Sequence, residues 1–339
     1  MTYLSGFRGR NMNILVTGGA GYVGSVLIRR LLGKGYTVDC LDNLRFGGES
    51  LIEVWHNPNF FFHKCDITLY EDIDRIMEKK DFFAIVHLAA IVGDPACKKE
   101  PELAEKTNWD ASVHLLEKSI KHRISKFIFV STCSNYGKMS DPNGYVDENS
   151  SLVPISLYAQ LKVKFENLLL DEASRKDSFC PVSLRFATVY GVSPRMRFDL
   201  TVNEFTKELA LGKELVVYGE RFWRPYCHVT DIAKAITEIL AADNEKVAYE
   251  VFNVGDTSEN YTKGMIIDEI RKQISNCRIK NVEKKEDPRD YRVNFDKIKK
   301  VLDFNISMRL PDGIRELNEI VGSGIIRDVD DQRYYNTPH

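Results

Sequence analysis

The sequence predicts an α/β protein: a doubly wound parallel sheet with a smaller C-terminal α/β lobe. Three observations predict it. Strand-like and helix-like stretches alternate through the first half of the chain. The first strand runs straight into a glycine-spaced turn and a helix. After about residue 190 the alternation gives way to short strands mixed with helices. Strands alternating with helices imply parallel neighbours, right-handed crossovers and helices on both faces.

The elements follow in order. Residues 13–17 (NILVT) read as a short buried strand. Residues 22–32 have helical apolar spacing through Val23, Val26, Leu27, Leu31 and Leu32. Further strands are expected at 36–41, 60–63, 83–88, 126–131 and 181–186, with helices at 102–121 and 156–174 between them. Beyond these, strands at 214–218, 249–253 and 278–281 and helices at 229–241, 263–274 and 295–301 are assigned to the smaller lobe. The expected division is 12–190 and 191–326. No Gly/Ser/Pro linker separates the two parts, so they are expected to interleave. Residues 1–11 and 327–339 read as extensions, the second polar and free to move.

Composition excludes several classes of function. The chain has 339 residues, 43% of them hydrophobic and 28% charged, enough for a large globular core. A net charge of −2 leaves no electrostatic footprint for nucleic acid or an anionic membrane. No apolar run approaches the roughly 20 residues that span a bilayer. Residues 1–11 have neither the apolar stretch nor the small-residue cleavage site of a signal peptide. The seven cysteines are odd in number and no pair has C-x-x-C spacing. That argues against a disulfide framework and a zinc site, and for a reducing, cytoplasmic setting.

The first strand leads into Gly18-Gly19-Ala20-Gly21-Tyr22-Val23-Gly24, a G-x-x-G-x-x-G run between strand and helix. Gly18 allows the tight turn, Gly21 lets backbone approach a pyrophosphate, and Gly24 lets helix and strand pack closely, as in Rossmann-type sheets. The helix N-terminus offers N–H groups and partial positive charge to phosphates. Turn glycines are common, so the loop alone is a weak signal. Asp42 ends the second strand, 18 residues after Gly24. A carboxylate there accepts from a ribose 2′-OH and repels a 2′-phosphate, which favours NAD over NADP.

Tyr158 and Lys162 lie four residues apart at the start of a predicted helix, so phenol and ammonium share one face. A free phenol ionises near pH 10, and acting as a base near neutrality needs about 4 kcal/mol of help. A neighbouring ammonium favours phenolate, as does the charge of an oxidised nicotinamide. Y-x-x-x-K is frequent by chance on solvent-facing helices. It gains weight here from its place after the fifth parallel strand, whose end at Thr132 supplies a hydroxyl.

With these residues in place, the chain resembles the extended short-chain dehydrogenase/reductases of the nucleotide-sugar epimerase/dehydratase group. The matching motifs are TGGAGYVG (17–24), LDNL (41–44), Cys65-Asp66-Ile67, HLAA (87–90), Asn108, VSTCSNYG (130–137), YAQLK (158–162), LRFATVYG (184–191) and RPYCHVTD (224–231). The resemblance implies that Gly18, Gly21, Tyr22, Val23, Gly24, Asp42 and Asn43 hold NAD. It puts Asp66 and Ile67 by the adenine. Leu88, Ala89 and Ala90 would line its ribose and pyrophosphate, with Asn108 in support. It makes Tyr158 the base, with Thr132 on the reacting hydroxyl and Lys162 on the nicotinamide ribose. Arg224 would clamp the substrate diphosphate. Arg197, Arg289 and Thr188 are further substrate candidates, with a salt-bridged turn or surface pair as the alternative for the two arginines. A homodimer through helices 102–121 and 156–174 is also implied.

The sequence departs from the dehydratases of that group at Cys133-Ser134, where they carry adjacent Asp and Glu. Without paired carboxylates, 4,6-dehydration lacks its acid and base. Cys133 reads as a packing residue, and His228 as a structural histidine. The leading expectation is NAD-dependent oxidation at C4 of a nucleotide-diphosphate sugar, as a 4-epimerase. A 4-dehydrogenase or keto-sugar reductase is the alternative, with a non-catalytic NAD-binding regulator as a different class. No metal constellation is read.

Overall fold

The computed structural model describes residues 13–139, 141, 144–171, 178–283 and 289–337. The expected segment 1–11 and the end of the helix expected to reach 174 lie outside them. The first half runs β1 (Asn13–Thr17), α1 (Tyr22–Gly33), β2 (Thr37–Asp42), β3 (Phe60–Lys64), α2 (Tyr70–Lys79) and β4 (Ala84–His87). Then come α3 (Asp94–Lys99), α4 (Pro101–Glu105), a π turn (Lys106–Asp110), α5 (Ala111–Lys121) and β5 (Lys126–Thr132). The chain continues through α6 (Leu157–Leu169), β6 (Cys180–Phe186), β7 (Thr188–Tyr190), α7 (Thr201–Ala210), β8 (Glu214–Tyr218) and β9 (Trp223–His228). The last part holds α8 (Val229–Ala241), α9 (Asn244–Val247), β10 (Glu250–Val254), β11 (Asn260–Thr262), α10 (Lys263–Arg271), β12 (Arg278–Val282), α11 (Asp296–Leu302) and α12 (Leu310–Gly322).

The main sheet has seven parallel strands in the order β10-β6-β5-β4-β1-β2-β3. Its central strands are buried along nearly their whole length. That is why they read as unbroken apolar runs rather than alternating ones. On one face α1 and α8 pack together over Ile14, Val16, Ile128 and Val182. On the other, α2, α5 and α6 cover Leu15, Ile85, Phe127 and Phe129. Strand order reverses between β1 and β4, which opens a crevice at their carboxyl ends, the usual ligand site of such sheets.

The strand expected at 249–253 belongs by sequence to the smaller lobe. The structure instead places it as β10, the edge of the main sheet, and lays the neighbouring α8 on the sheet face. The chain therefore returns to the first layer after leaving it. Lys126 shows how tightly: its buried ammonium donates to the carbonyls of Ile239 (2.8 Å), Leu240 (3.3 Å) and Ala242 (2.8 Å) at the end of α8. A cation there complements the negative pole of the helix.

The remaining core is built from α7, α10 and α12 around Phe198, Phe205, Ile266 and Ile314. It carries a three-stranded sheet (β11-β9-β7) and a two-stranded one (β12-β8). The strands β7, β9 and β11 and the helices α7 and α12 are not among the expected elements. The helix expected over 102–121 is three pieces, with the π turn at Lys106–Asp110 between α4 and α5. The tail beyond 326, expected to be free, is packed as far as residue 337. Tyr335 is buried, its hydroxyl accepts from Lys207 (2.8 Å), and the Asn336 amide donates to Asp199 (3.2 Å). Among the described residues no helix is long and apolar enough to cross a membrane. All seven cysteines are free, and no cluster that could hold a metal occurs among the described residues.

Candidate active site

The crevice begins at the turn after β1. Gly18 has φ of +73°, and a Cβ on it would lie 2.8 Å from the Ala89 amide nitrogen. A Cβ on Gly24 would lie 2.3 Å from the Gly18 carbonyl oxygen. The Gly21 amide donates to that same carbonyl (3.2 Å). No side chain caps the first turn of α1 and no acid lies in it. Its amides are thus available to phosphate, and no carboxylate competes with it. Glycine loop and residues 88–90 meet so closely that only backbone fits between them, and the cradle suits a dinucleotide. Gly24→Ala is expected to force α1 off the loop, at about 1–3 kcal/mol of stability. NAD titration should show weakened binding, and a variant that binds like wild type would contradict the cradle.

Asp42 ends β2 beside this loop. Its carboxylate accepts from the amides of Ala20 (3.0 Å) and Leu44 (2.8 Å). Burial pushes its pKa up, while those two amides and the Arg195 charge oppose the rise. Asn43 donates to Asp66 (3.0 Å), whose other oxygen accepts from the Thr68 amide (2.9 Å) and hydroxyl (2.8 Å). Burial alone would raise the Asp66 carboxyl, but these bonds hold it below its ordinary value. Ile67 is buried beneath. Val23 is half-buried in the first turn of α1. Tyr22 departs from expectation in one respect: its hydroxyl is turned into the second lobe. There it donates to the Gly191 carbonyl (2.6 Å) and accepts from Asn203 (3.2 Å).

Residues 88–91 are held from behind by a hydrogen-bond relay that the sequence does not announce. The Ala89 amide donates to the Thr17 hydroxyl (3.2 Å), which lies 2.7 Å from Nδ1 of buried His87. Nε2 of His87 lies 2.9 Å from the Ser112 hydroxyl, which donates to the Asn108 carbonyl (3.0 Å). Burial first, and the Lys162 charge second, depress His87 to about 3. It is neutral at pH 7, and the network assigns its proton to Nε2. Asn108 sits in the π turn and grips Ile91 twice. Its amide nitrogen donates to the Ile91 carbonyl (3.0 Å) and its oxygen accepts from the Ile91 amide (2.8 Å). The π turn aims this side chain inward, as such bulges often do at functional sites. Leu88, Ala89 and Ala90 stay half-exposed at the crevice.

The Tyr–Lys pair lies on α6, whose N-cap is Ser156. The Lys162 ammonium donates to the Val130 carbonyl (2.7 Å) and lies 4.6 Å from the Phe129 ring centre and 5.9 Å from that of Tyr158. That sets α6 along the end of β5, two residues before Thr132. Thr132 is half-buried and its hydroxyl accepts from the Ser134 amide (3.1 Å). The Tyr158 hydroxyl makes no hydrogen bond to a described residue. Burial raises the Tyr158 phenol well above its ordinary value, with the nearby Arg197 charge opposing. Burial pulls Lys162 down to about 7, against an ordinary 10.5, with Cys97 opposing.

The Lys162 shift has a consequence for stability. Between about pH 7 and pH 10.5 the unfolded chain binds more protons at this site than the folded one. Stability then rises with pH across that window and carries the full burial penalty below it. Lys162→Met is expected to raise the melting temperature of the cofactor-free protein at pH 6 and change it little at pH 10. Equal shifts at both pH values would sink this reading.

The expected substrate residues divide. Arg224, on β9, lies 5.1 Å from the centre of the Tyr291 ring and donates to the Trp223 carbonyl (2.6 Å). Thr188 opens β7, half-buried. Arg197 makes a two-pronged pair with Asp199 (3.0 and 2.7 Å), so the salt-bridged turn is present. Arg289 reaches Asp94 (2.6 Å), and the other oxygen of Asp94 accepts from Ser156 at the start of α6 (2.5 Å). Asp94 thus ties the start of α3, the Tyr158 helix and the C-terminal part together. Only Ser156, a helix-capping residue type just before an apolar run, carries a sequence signal for this. Cys133 is fully buried, and its thiol donates to the Arg185 carbonyl (3.3 Å). His228 is the N-cap of α8, 2.6 Å from Glu316, a structural place as expected.

Comparison with known proteins agrees with this geometry. The model of the NAD dependent epimerase/dehydratase family matches residues 14–255. An uncharacterised UDP-glucose epimerase of Bacillus subtilis is 35% identical over 259 residues, 72% of this chain and 77% of that one. A dTDP-glucose 4,6-dehydratase of Streptomyces niveus is 31% identical over 257 residues, 73% and 74% of the two chains. The crystal structure of a UDP-glucose 4-epimerase of Thermotoga maritima with UDP-glucose superposes with a TM-score of 0.78 at 31% identity, covering 91% of this chain and 98% of that one.

Proposed function

The chain belongs to the NAD dependent epimerase/dehydratase family, and we propose that within it the protein is a nucleotide-sugar 4-epimerase. The observation that carries the reading is the Tyr158–Lys162 pair at the end of β5, with Thr132 two residues past the carbonyl that holds the ammonium. NAD, when bound, supplies a hydride acceptor that can also give the hydride back. Gly18, Gly21, Gly24, Asp42, Asn43, Asp66, Ile67, Leu88, Ala89, Ala90 and Asn108 would hold it, with Tyr22 and Val23 contributing their backbone.

In this reading Thr132 orients the C4 hydroxyl of the sugar by a hydrogen bond. Tyr158 accepts that hydroxyl's proton, and the Lys162 ammonium stabilises the phenolate and binds the nicotinamide ribose. The proton goes back from Tyr158 when the opposite face is reduced. Arg224 binds the diphosphate, with Thr188, Arg197 and Arg289 at the substrate's edge. For Arg197 and Arg289 this requires the pairs with Asp199 and Asp94 to be shared or exchanged. Dehydration is disfavoured because the side chain after Thr132 is a buried thiol directed at the Arg185 carbonyl rather than a carboxyl at the crevice. A 4-dehydrogenase or a keto-sugar reductase uses the same three residues.

Mixing the enzyme with candidate nucleotide sugars and following 340 nm separates them. Epimerisation gives inverted C4 with no net NADH. Steady NADH accumulation would overturn the epimerase reading in favour of a dehydrogenase. The proposed homodimer uses α5 and α6, where Leu168 is 39% exposed, and a monomer by light scattering would remove it.

A further inference from the structure

Arg195 is the least explained charge among the described residues. The residue is only 6% exposed, yet Nε and Nη2 have no hydrogen-bond partner. Its carbon stem does not explain the placement, because the guanidinium itself is what is enclosed, 4.3 Å from the centre of the Phe46 ring. A buried cation without an anion is costly, and such groups are found paired.

The acids nearby are already engaged. Asp42 accepts from the amides of Ala20 and Leu44. Asp199 accepts both prongs of Arg197 and the Asn336 amide. Burial first, and the neighbouring Arg197 charge second, lower Arg195 to about 10, with Asp199 and Asp42 opposing. Asp42 and Asp199 thus lie near enough to act on Arg195 by charge, but neither hydrogen-bonds its buried Nε or Nη2.

The position of Arg195 is fixed relative to the glycine loop. Two residues earlier, the Ser193 hydroxyl donates to the Tyr22 carbonyl (2.7 Å) and lies 3.1 Å from the Ser25 hydroxyl. Ser193 is therefore pinned to the first turn of α1. Phe46 belongs to the loop that follows Asp42. Arg195 accordingly stands among the elements that frame the cofactor crevice.

We propose that Arg195 is a phosphate-binding residue of the cofactor site, its guanidinium taking a phosphate of the dinucleotide beside Phe46 and the first turn of α1. This rests on the NAD reading of the crevice and adds to it a clamp supplied by the second lobe. Because residues 191–197 follow β7, which belongs to the smaller three-stranded sheet, binding the phosphate would tie the two lobes and slow cofactor release.

Arg195→Met, which keeps the stem and removes the charge, tests it by calorimetric titration with NAD, ADP, adenosine and UDP. Loss of a charged phosphate contact is expected to weaken NAD and ADP by about 10- to 100-fold. Adenosine and UDP should bind as in wild type. The cofactor-free variant should melt no lower than wild type, since an unpartnered charge has been removed. Arg195→Lys, which keeps a charge without the fork, should fall between, and it is read the same way if the methionine variant does not fold. Unchanged NAD and ADP affinity overturns the proposal. So does loss confined to UDP, which would move Arg195 to the sugar-nucleotide site, or an equal loss of adenosine, which would mean a collapsed crevice. Failure of wild-type protein to bind NAD would instead overturn the cofactor reading itself.

Discussion

Tyr158→Phe is expected to reduce turnover of the nucleotide sugar by about 10²- to 10⁴-fold, the usual worth of a positioned acid or base. NAD affinity and melting temperature should stay near wild type. The structure supports the separation. The phenol oxygen has no hydrogen-bond partner among the described residues, so removing it leaves no buried donor or acceptor unpaired. The ring keeps its packing against the cluster of Cys97, Ala104 and Leu161. The ammonium of Lys162 keeps its bond to the Val130 carbonyl. Measuring kcat, NAD affinity and melting on one preparation distinguishes chemistry from folding. Turnover equal to wild type would remove Tyr158 from the mechanism and with it the proposed function. A fall in both turnover and cofactor affinity would recast the phenol as a binding group.

The parts of this site legible in the sequence are those whose chemistry demands a local pattern. Gly18, Gly21 and Gly24 announce themselves because a strand, a tight turn and a helix must follow one another within a few residues. Asp42 does so by ending the next strand. Tyr158 and Lys162 do so because four residues make one helical turn. The groups that hold these in place are not legible, because their partners are remote in the chain. Asp94 meets Arg289 across 195 positions, and Lys126 reaches the end of α8 more than 100 residues later. Strand β10 is legible as a strand, but its place in the main sheet is not. Its five residues carry no mark of which sheet they join, and its partner β6 lies more than 60 residues back in the chain. The short strands β7, β9 and β11 escape for a related reason. They have three to six residues, and β9 includes Arg224 and Pro225, which break an apolar pattern. The tail misleads by composition: Tyr335 joins the core of the smaller lobe, and Lys207 and Asp330 meet around its hydroxyl.

The helix that carries Tyr158 and Lys162 is itself secured one turn further on, and breaking that anchor should destabilise the protein more than Gly24→Ala does. Glu166 of α6 faces Arg185 of β6, with contacts of 2.5, 3.1 and 3.3 Å, both side chains nearly fully buried. Ser183 donates to the same carboxylate (2.6 Å), and Arg185 also donates to the Tyr136 hydroxyl (2.9 Å), which donates to Asn253 (2.8 Å). The network joins α6, β6 and β10, so every polar atom in it depends on the others. Removing one member of such a pair leaves an uncompensated charge in the core and costs about 3–5 kcal/mol, whereas replacing both by apolar groups is often close to neutral. Arg185→Met is therefore expected to lower the denaturant midpoint strongly, and Glu166→Leu likewise. The double replacement should recover much of the loss, which a double-mutant cycle measures directly. If the two losses simply add, the pair is not coupled. The double variant also separates stability from positioning. A fold restored by Leu and Met no longer has the directional bonds that fix the turn after Lys162. Turnover should then remain below wild type even where the melting temperature does not, because the phenol must be held within a fraction of an ångström of the sugar hydroxyl, with the ammonium beside it, to take its proton.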